Sequence, residues 1–228
     1  MTTGPGPAGP GANRVAALVE TLAEQGFAVA PDFLDADLVS ALAREALERD
    51  RARQTDTGGV GRKRDYAVDR TVRRARICWF DGSSPAQGQF LEEAERLRQE
   101  INRRLFLGVF EFEAQFAVYD AGGFYARHLD SFRGRRNRVV SLVAYLNADW
   151  QAGDGGTLAI WPAGTGGDAA AAPVAEVLPR AGTVVAMLSE EIPHEVRPAG
   201  RQRLSVAGWW RVNQMQGGRI DPPRISLC

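Results

Sequence analysis

His128-Leu129-Asp130, with a distant His194, are the residues whose types and spacing best suit metal chemistry. On a strand, residues i and i+2 point to one face, so an imidazole and a carboxylate can converge there on one ion. His194 follows Pro193 at the start of a late apolar segment and supplies a third donor. Two imidazoles and one carboxylate fill one triangular face of a coordination sphere. They leave three positions open, the arrangement suited to non-haem Fe(II) and O2. An isolated H-x-D segment is a weak signal that arises by chance. The histidine inventory is stronger: the chain has only two histidines, and both fall where the triad needs them.

Nine residues after His194, Arg203 begins the segment Arg203-Leu-Ser-Val-Ala-Gly-Trp-Trp. Its planar guanidinium can pair bidentately with the far carboxylate of a dicarboxylic co-substrate. Lys63 is the only lysine, which nearly excludes a lysine anchor. Arg197 and Arg201 read instead as surface arginines in strand-edge ion pairs.

The elements that must position these residues fall into two stretches. Residues 1–13 are Gly/Pro-rich and read as a mobile tail. Residues 14–109 read as a helical support region with early strands. Val15, Leu18, Val19 and Leu22 recur at helical spacing up to Gly26, and Phe27 to Ala30 reads as a strand. Asp35 can cap a second helix carrying Leu38, Leu42 and Leu47. Residues 50–74, with Arg62-Lys63-Arg64, read as a long polar loop or mobile hairpin before a strand at Arg76 to Phe80. A third helix, about Ala86 to Phe106, carries Phe90, Leu91, Leu97 and Ile101. Residues 110–214 then hold about eight short apolar or alternating runs, and 215–228 a C-terminal tail. The runs are Glu113–Tyr119, Tyr125–Leu129, Arg138–Leu146, Thr157–Trp161, Ala175–Leu178, Thr183–Leu188, Glu195–Arg197 and Arg203–Val212. Their Gly-rich breaks predict a mainly β, α+β protein: a jelly roll with helices packed on one sheet.

Composition narrows the function. With 228 residues, 44% of them hydrophobic, the chain can bury one substantial core. Basic and acidic residues balance at 28 each, so no global field favours nucleic acid, and no basic stripe interleaves with aromatics. No apolar stretch reaches bilayer length and no signal-peptide core is visible, so a soluble cytoplasmic protein is expected. Cys78 and Cys228 are too few for a disulfide scaffold and are expected as free thiols.

From Ile77 to Arg211 the chain resembles the prolyl 4-hydroxylase branch of the 2-oxoglutarate oxygenases, especially the prolyl-hydroxylase-domain oxygen sensors and their bacterial relatives. Tyr125-Ala-Arg-His128-Leu-Asp130 is similar to the family's tyrosine-x-x-histidine-x-aspartate segment. Arg138-Val-Val-Ser-Leu-Val-Ala-Tyr145-Leu-Asn-Ala-Asp-Trp150 resembles its tyrosine-ended strand. Gly155-Gly156-Thr-Leu-Ala-Ile, Pro193-His194-Glu-Val-Arg-Pro-Ala and Arg203 complete the series in the family's order.

The resemblance implies a double-stranded β-helix with Fe(2+) at its mouth, 2-oxoglutarate and O2 as co-substrates, and ascorbate as an accessory reductant. It implies Arg203 and Tyr145 on the C5 carboxylate of 2-oxoglutarate, and Ser141 as a hydroxyl near the co-substrate. Tyr119, Tyr125, Arg138 and Trp209 would line the pocket. Arg73 and Trp79 align with a family arginine and tryptophan, whereas Ala75 stands where the oxygen sensors carry an acid.

A peptidyl-prolyl hydroxylase acting on a proline-containing protein is the first expectation. Alternatives are a hydroxylase of a free amino acid or small metabolite, and a catalytically silent metal- or 2-oxoglutarate-binding sensor. The Arg62–Arg64 and Arg133–Arg136 runs read as charged surface that could border the substrate entrance. Oligomeric state is not legible.

Overall fold

A computed structural model describes residues 10–58, 71–131, 138–165, 168, 170–212, 215–216 and 219–220. The expected basic loops at Arg62–Arg64 and Arg133–Arg136 lie outside the described residues, as does Cys228.

Three helices form where apolar residues recur every three or four positions. The first, α1 (Pro10–Gln25), buries Val15, Leu18, Val19 and Leu22, and ends at Gly26 with φ 76°. It begins earlier than the tail expected through residue 13, because proline is tolerated in a first turn whose N–H groups lack helical partners. In α2 (Ala36–Arg51), Asp35 occupies the N-cap position without donating or accepting a side-chain cap bond. Ser84 does cap α3 (Pro85–Leu105), accepting the Gln87 backbone N–H at 3.1 Å.

The expected strands follow the predicted order with edges moved by at most two residues: most lose a residue, the one ending at Tyr119 starts earlier, at Glu111, and a short strand at Asp56–Thr57 falls within the segment read as a loop or hairpin. They are β1 (Phe27–Ala30), β2 (Asp56–Thr57), β3 (Arg76–Trp79), β4 (Glu111–Tyr119), β5 (Tyr125–His128) and β6 (Arg138–Tyr145). Next come β7 (Leu158–Ile160), β8 (Ala175–Val177), β9 (Val184–Leu188), β10 (His194–Val196) and β11 (Arg203–Arg211). A seven-stranded antiparallel sheet runs β1-β9-β6-β11-β4-β3-β2, and a four-stranded sheet runs β5-β10-β7-β8. The result is the jelly roll expected from the strand pattern.

Strand alternation divides the large sheet into two unlike faces. Even-numbered residues such as Phe116, Leu142, Val206 and Trp210 join the helices in one core. Odd-numbered residues, including Tyr119, Tyr145, Val185 and Met187, face the small sheet with Leu158, Ile160 and Val196. The helices therefore support the outer face, and the inner face is free to carry polar chemistry. Each fully buried Leu, Val or Phe on the helix side contributes about 1.5–3 kcal/mol. Among the described residues no cysteine is free, which corrects the expectation of a free thiol at Cys78.

Gly208 sits mid-strand in β11, between Ala114 of β4 and Leu142 of β6. A Cβ there would lie 2.3 Å from Phe112 Cζ and 3.2 Å from the Glu113 carbonyl. Phe112 is itself pinned against Trp210, with ring centroids 4.8 Å apart. Gly208→Ala is expected to destabilise the protein by about 1–3 kcal/mol through overpacking, read as a lowered urea midpoint.

Candidate active site

The two histidines meet because β5 and β10 pair in a register that puts His128 directly opposite His194. Their rings lie 4.3 Å apart, and Asp130 follows two residues beyond His128. Asp130 Oδ1 is 3.5 Å from His128 Nε2, and Oδ2 is 3.6 Å from His194 Nε2. One donor atom from each residue lies within 4.8 Å of the others.

The backbone sets the tautomers. His128 Nδ1 is 2.8 Å from the Ala126 carbonyl, and His194 Nδ1 is 3.1 Å from the Ile192 carbonyl. A carbonyl only accepts, so each neutral ring carries its proton on Nδ1 and turns the Nε2 lone pair toward Asp130. Burial and the neighbouring His128 push His194 down to about 4 against the pull of Asp130. Burial opposes ionisation of Asp130, but His194, His128 and Arg138 outweigh it and hold the carboxyl well below its ordinary value. Two lone pairs and an anionic oxygen thus face one point, a repulsive arrangement that a cation relieves. The donor set fits a metal ion with open positions.

A second buried charge lies on the inner face of the large sheet. Arg203, 1% exposed, heads β11 opposite Tyr119. Its Nε donates to the Gly156 carbonyl at 3.0 Å, and Nη1 reaches Ser205 Oγ at 3.4 Å. Its guanidinium carbon stands 5.2 Å from the Tyr119 ring centre and 5.0 Å from that of Tyr145. Nη2 has no partner, and neither has the buried Tyr145 hydroxyl. Burial raises the Tyr145 phenol to about 12 against the opposing pull of Arg203, so it stays a donor. Among the described residues no carboxylate forms an ion pair with Arg203. Two orphaned donors of this kind fit an incoming carboxylate.

Similarity to known proteins agrees with this chemistry. Residues 114–211 match the family model described as the 2OG-Fe(II) oxygenase superfamily. A prolyl-4-hydroxylase from Pseudomonas putida is 43% identical with TM-score 0.77, the match covering 87% of this chain and 99% of that one. The chain belongs to the 2-oxoglutarate–Fe(II) oxygenase superfamily. It is accordingly a dioxygenase using Fe(2+), 2-oxoglutarate and O2. A Trichoplax adhaerens prolyl hydroxylase, in complex with a hypoxia inducible factor oxygen degradation domain peptide, shares the fold at 24% identity. Its TM-score is 0.77, over 88% of this chain and 90% of that one. The epimerase SnoN, in complex with Fe3+, alpha ketoglutarate and nogalamycin RO, shares the fold at 14% identity. There the TM-score is 0.61, over 92% of this chain and 93% of that one. Fold alone therefore leaves the substrate open.

The remaining expected residues of this oxygenase divide by location. Tyr125 stacks on the His128 ring at 3.5 Å, the Arg73 guanidinium carbon lies 4.8 Å from its ring centre, and burial raises its phenol to about 12. Arg138 lies 3.6 Å from the centre of the Trp209 ring and pairs with Glu113 at 2.8 Å. Trp209 faces Trp79 with ring centres 6.0 Å apart. Ser141 donates its hydroxyl to Asp130 Oδ2 at 2.6 Å.

Sequence reasoning missed Glu113, Gln115 and Ser189 as site residues. The first two had a signal, since polar residues at alternate positions of Glu111-Phe-Glu-Ala-Gln-Phe mark one strand face. Asn147 was noted only within a motif. It donates to the Pro179 and Leu204 carbonyls and accepts the Leu204 N–H at 2.6 Å, fixing the backbone beside Arg203. Gly156 supplies the carbonyl for Arg203 at φ 68°, with Ala199 Cβ only 2.8 Å from where its own Cβ would be.

Arg203→Ala is expected to weaken 2-oxoglutarate binding at least about 30-fold, the scale of truncating a buried charge pair. Iron binding should survive; anaerobic titration of each ligand separates the two. Arg203→Lys should restore only part, because an ammonium lacks the fork that replaces two parallel donors.

Proposed function

We propose that the protein is a peptidyl-prolyl 4-hydroxylase of the cytoplasm, acting on proline in a protein substrate. In this reading His128, Asp130 and His194 hold Fe(II), while Arg203 and Tyr145 bind the far carboxylate of 2-oxoglutarate. The observation that carries the co-substrate assignment is the buried Arg203 guanidinium, with Nη2 and the adjacent Tyr145 hydroxyl both unpartnered. The bound iron supplies O2 activation, coupling conversion of 2-oxoglutarate to succinate and CO2 with insertion of one oxygen atom into a substrate C–H bond. Ascorbate would serve only to keep the iron reduced.

The chain's own residues orient and enclose. Arg203 anchors the co-substrate from the far end, so that its keto-acid end can face the triad. Tyr125, stacked on His128, shields that imidazole from water and holds its plane. Val143 and Ala207 lie mid-strand in central strands yet keep partial exposure, so the inner face is not fully covered there. Trp79, Trp209 and Arg138 cluster with flat surfaces suited to a saturated ring. Gln115 Oε1 and Trp209 Nε1 are buried without partners, one acceptor and one donor, the complement of a peptide amide. These features, with 43% identity to the Pseudomonas putida prolyl-4-hydroxylase, support a peptide substrate over a free amino acid.

Two measurements test the reading. Anaerobic Fe(II) followed by 2-oxoglutarate should produce a visible charge-transfer band, abolished by His128→Ala combined with His194→Ala. A band unchanged in that double variant rules out the triad. With oxygen, proline-containing proteins of the host should gain one oxygen mass on a prolyl residue. Turnover of free amino acids with no modified protein would instead establish the small-metabolite hydroxylase. Background succinate across both substrate classes would leave a sensor.

A further inference from the structure

Asp130 is held by a short hydroxyl chain that no part of the co-substrate assignment requires. Ser141 Oγ lies 2.6 Å from Asp130 Oδ2, and Ser189 Oγ lies 2.8 Å from Ser141 Oγ. Both serines are 1% exposed. Their proton order follows from donor arithmetic. An ionised carboxylate only accepts, so the single Ser141 hydrogen must go to Asp130. Ser141 then has lone pairs alone to offer Ser189, and Ser189 must be the donor. The chain runs in one direction, Ser189 to Ser141 to Asp130, and each bond polarises the next.

The backbone fixes both ends of this chain. Ser141 lies in β6 between Trp209 of β11 and Met187 of β9, on the inner face of the large sheet. Ser189 follows β9 directly; its N–H donates to the Val139 carbonyl at 3.0 Å, and its own carbonyl accepts from Ser131 N–H at 3.2 Å. Ser131 is the residue after Asp130, so Ser189 grips the aspartate's turn through the backbone as well as through Ser141. The large sheet thereby reaches across to the one triad member that lies beyond the end of its strand. His128 and His194 have cross-strand pairing to hold them; Asp130 has none.

We propose that Ser141 and Ser189 are positioning residues that claim Oδ2 of Asp130 and leave Oδ1 for the metal. Resting on the triad reading above, this assigns the carboxylate a one-oxygen role. A carboxylate gripping the ion with both oxygens would use a position that a chelating co-substrate or O2 needs. The hydroxyl chain opposes that swing, because rotating Oδ2 toward the ion breaks a buried charge-assisted bond and orphans the Ser141 hydrogen.

Mn(II) binding to the purified full chain, followed by electron paramagnetic resonance, tests the proposal without any turnover. Ser141→Ala should weaken Mn(II) about 10- to 100-fold, the range for removing a partner that orients a ligand. Ser189→Ala should weaken it less, and Ser141→Ala with Ser189→Ala should be no worse than Ser141→Ala alone, since the far hydroxyl acts only through the near one. Ser141→Thr, which keeps the hydroxyl, should bind within about threefold of wild type, well short of the tenfold loss. Thermal unfolding without metal controls for folding. Ser141→Ala binding like wild type, or Ser141→Thr losing as much as Ser141→Ala, overturns the proposal. Were Ser141→Ala to unfold, the Ser189→Ala result alone decides: affinity equal to wild type overturns it. Failure of wild type to bind Mn(II) at all would instead overturn the triad reading.

Discussion

A guanidinium moved out of water without a counter-charge is penalised by several kcal/mol, and this oxygenase holds one at Arg203 on the inner face of its large sheet. The arrangement around it limits that penalty without removing it. The Gly156 carbonyl, Ser205 and two tyrosine rings satisfy part of the cation, and Asn147 fixes the backbone next to it. The unsatisfied part is Nη2, which with the Tyr145 hydroxyl lacks a partner and so suits an incoming carboxylate.

The fold tolerates such a feature because its two faces do different work. The helices α1, α2 and α3 pack on the outer face and furnish most of the large apolar core. The smaller inner cluster can then mix Tyr119, Tyr145, Met187 and Ile160 with buried charge. Strand alternation enforces the separation, since a one-residue slip of β11 would send Arg203 into the helical core and Leu204 onto the inner face. Pairing on both sides, with β4 and β6, makes that slip costly.

The triad side follows the same logic with the opposite sign. An ionised carboxylate and two imidazole lone pairs are drawn together by strand register and carbonyl contacts, leaving net negative charge where a cation belongs. Arg138 moderates it from β6 of the facing sheet while paired with Glu113. On facing sheets, the site therefore sets an electron-rich cluster that suits a cation against an electron-poor one that suits a carboxylate.

The sequence by itself displayed the order of the helices and main strands, the candidate triad and the candidate arginine anchor. Periodicity of 3.6 and 2 is local, and with only two histidines and one lysine the candidate ligands were nearly forced. Local pattern could not decide which strands become neighbours. Ser141 illustrates the difference: its place in β6 was legible, but its hydrogen-bond partner is set by a turn that only the meeting of two sheets brings near. Ser189 carried no signal for the same reason, and Glu113 was legible as a face but not as the partner of Arg138. Tertiary structure decided these because hydrogen bonding and burial are pairwise between distant segments, whereas the sequence displays each segment alone.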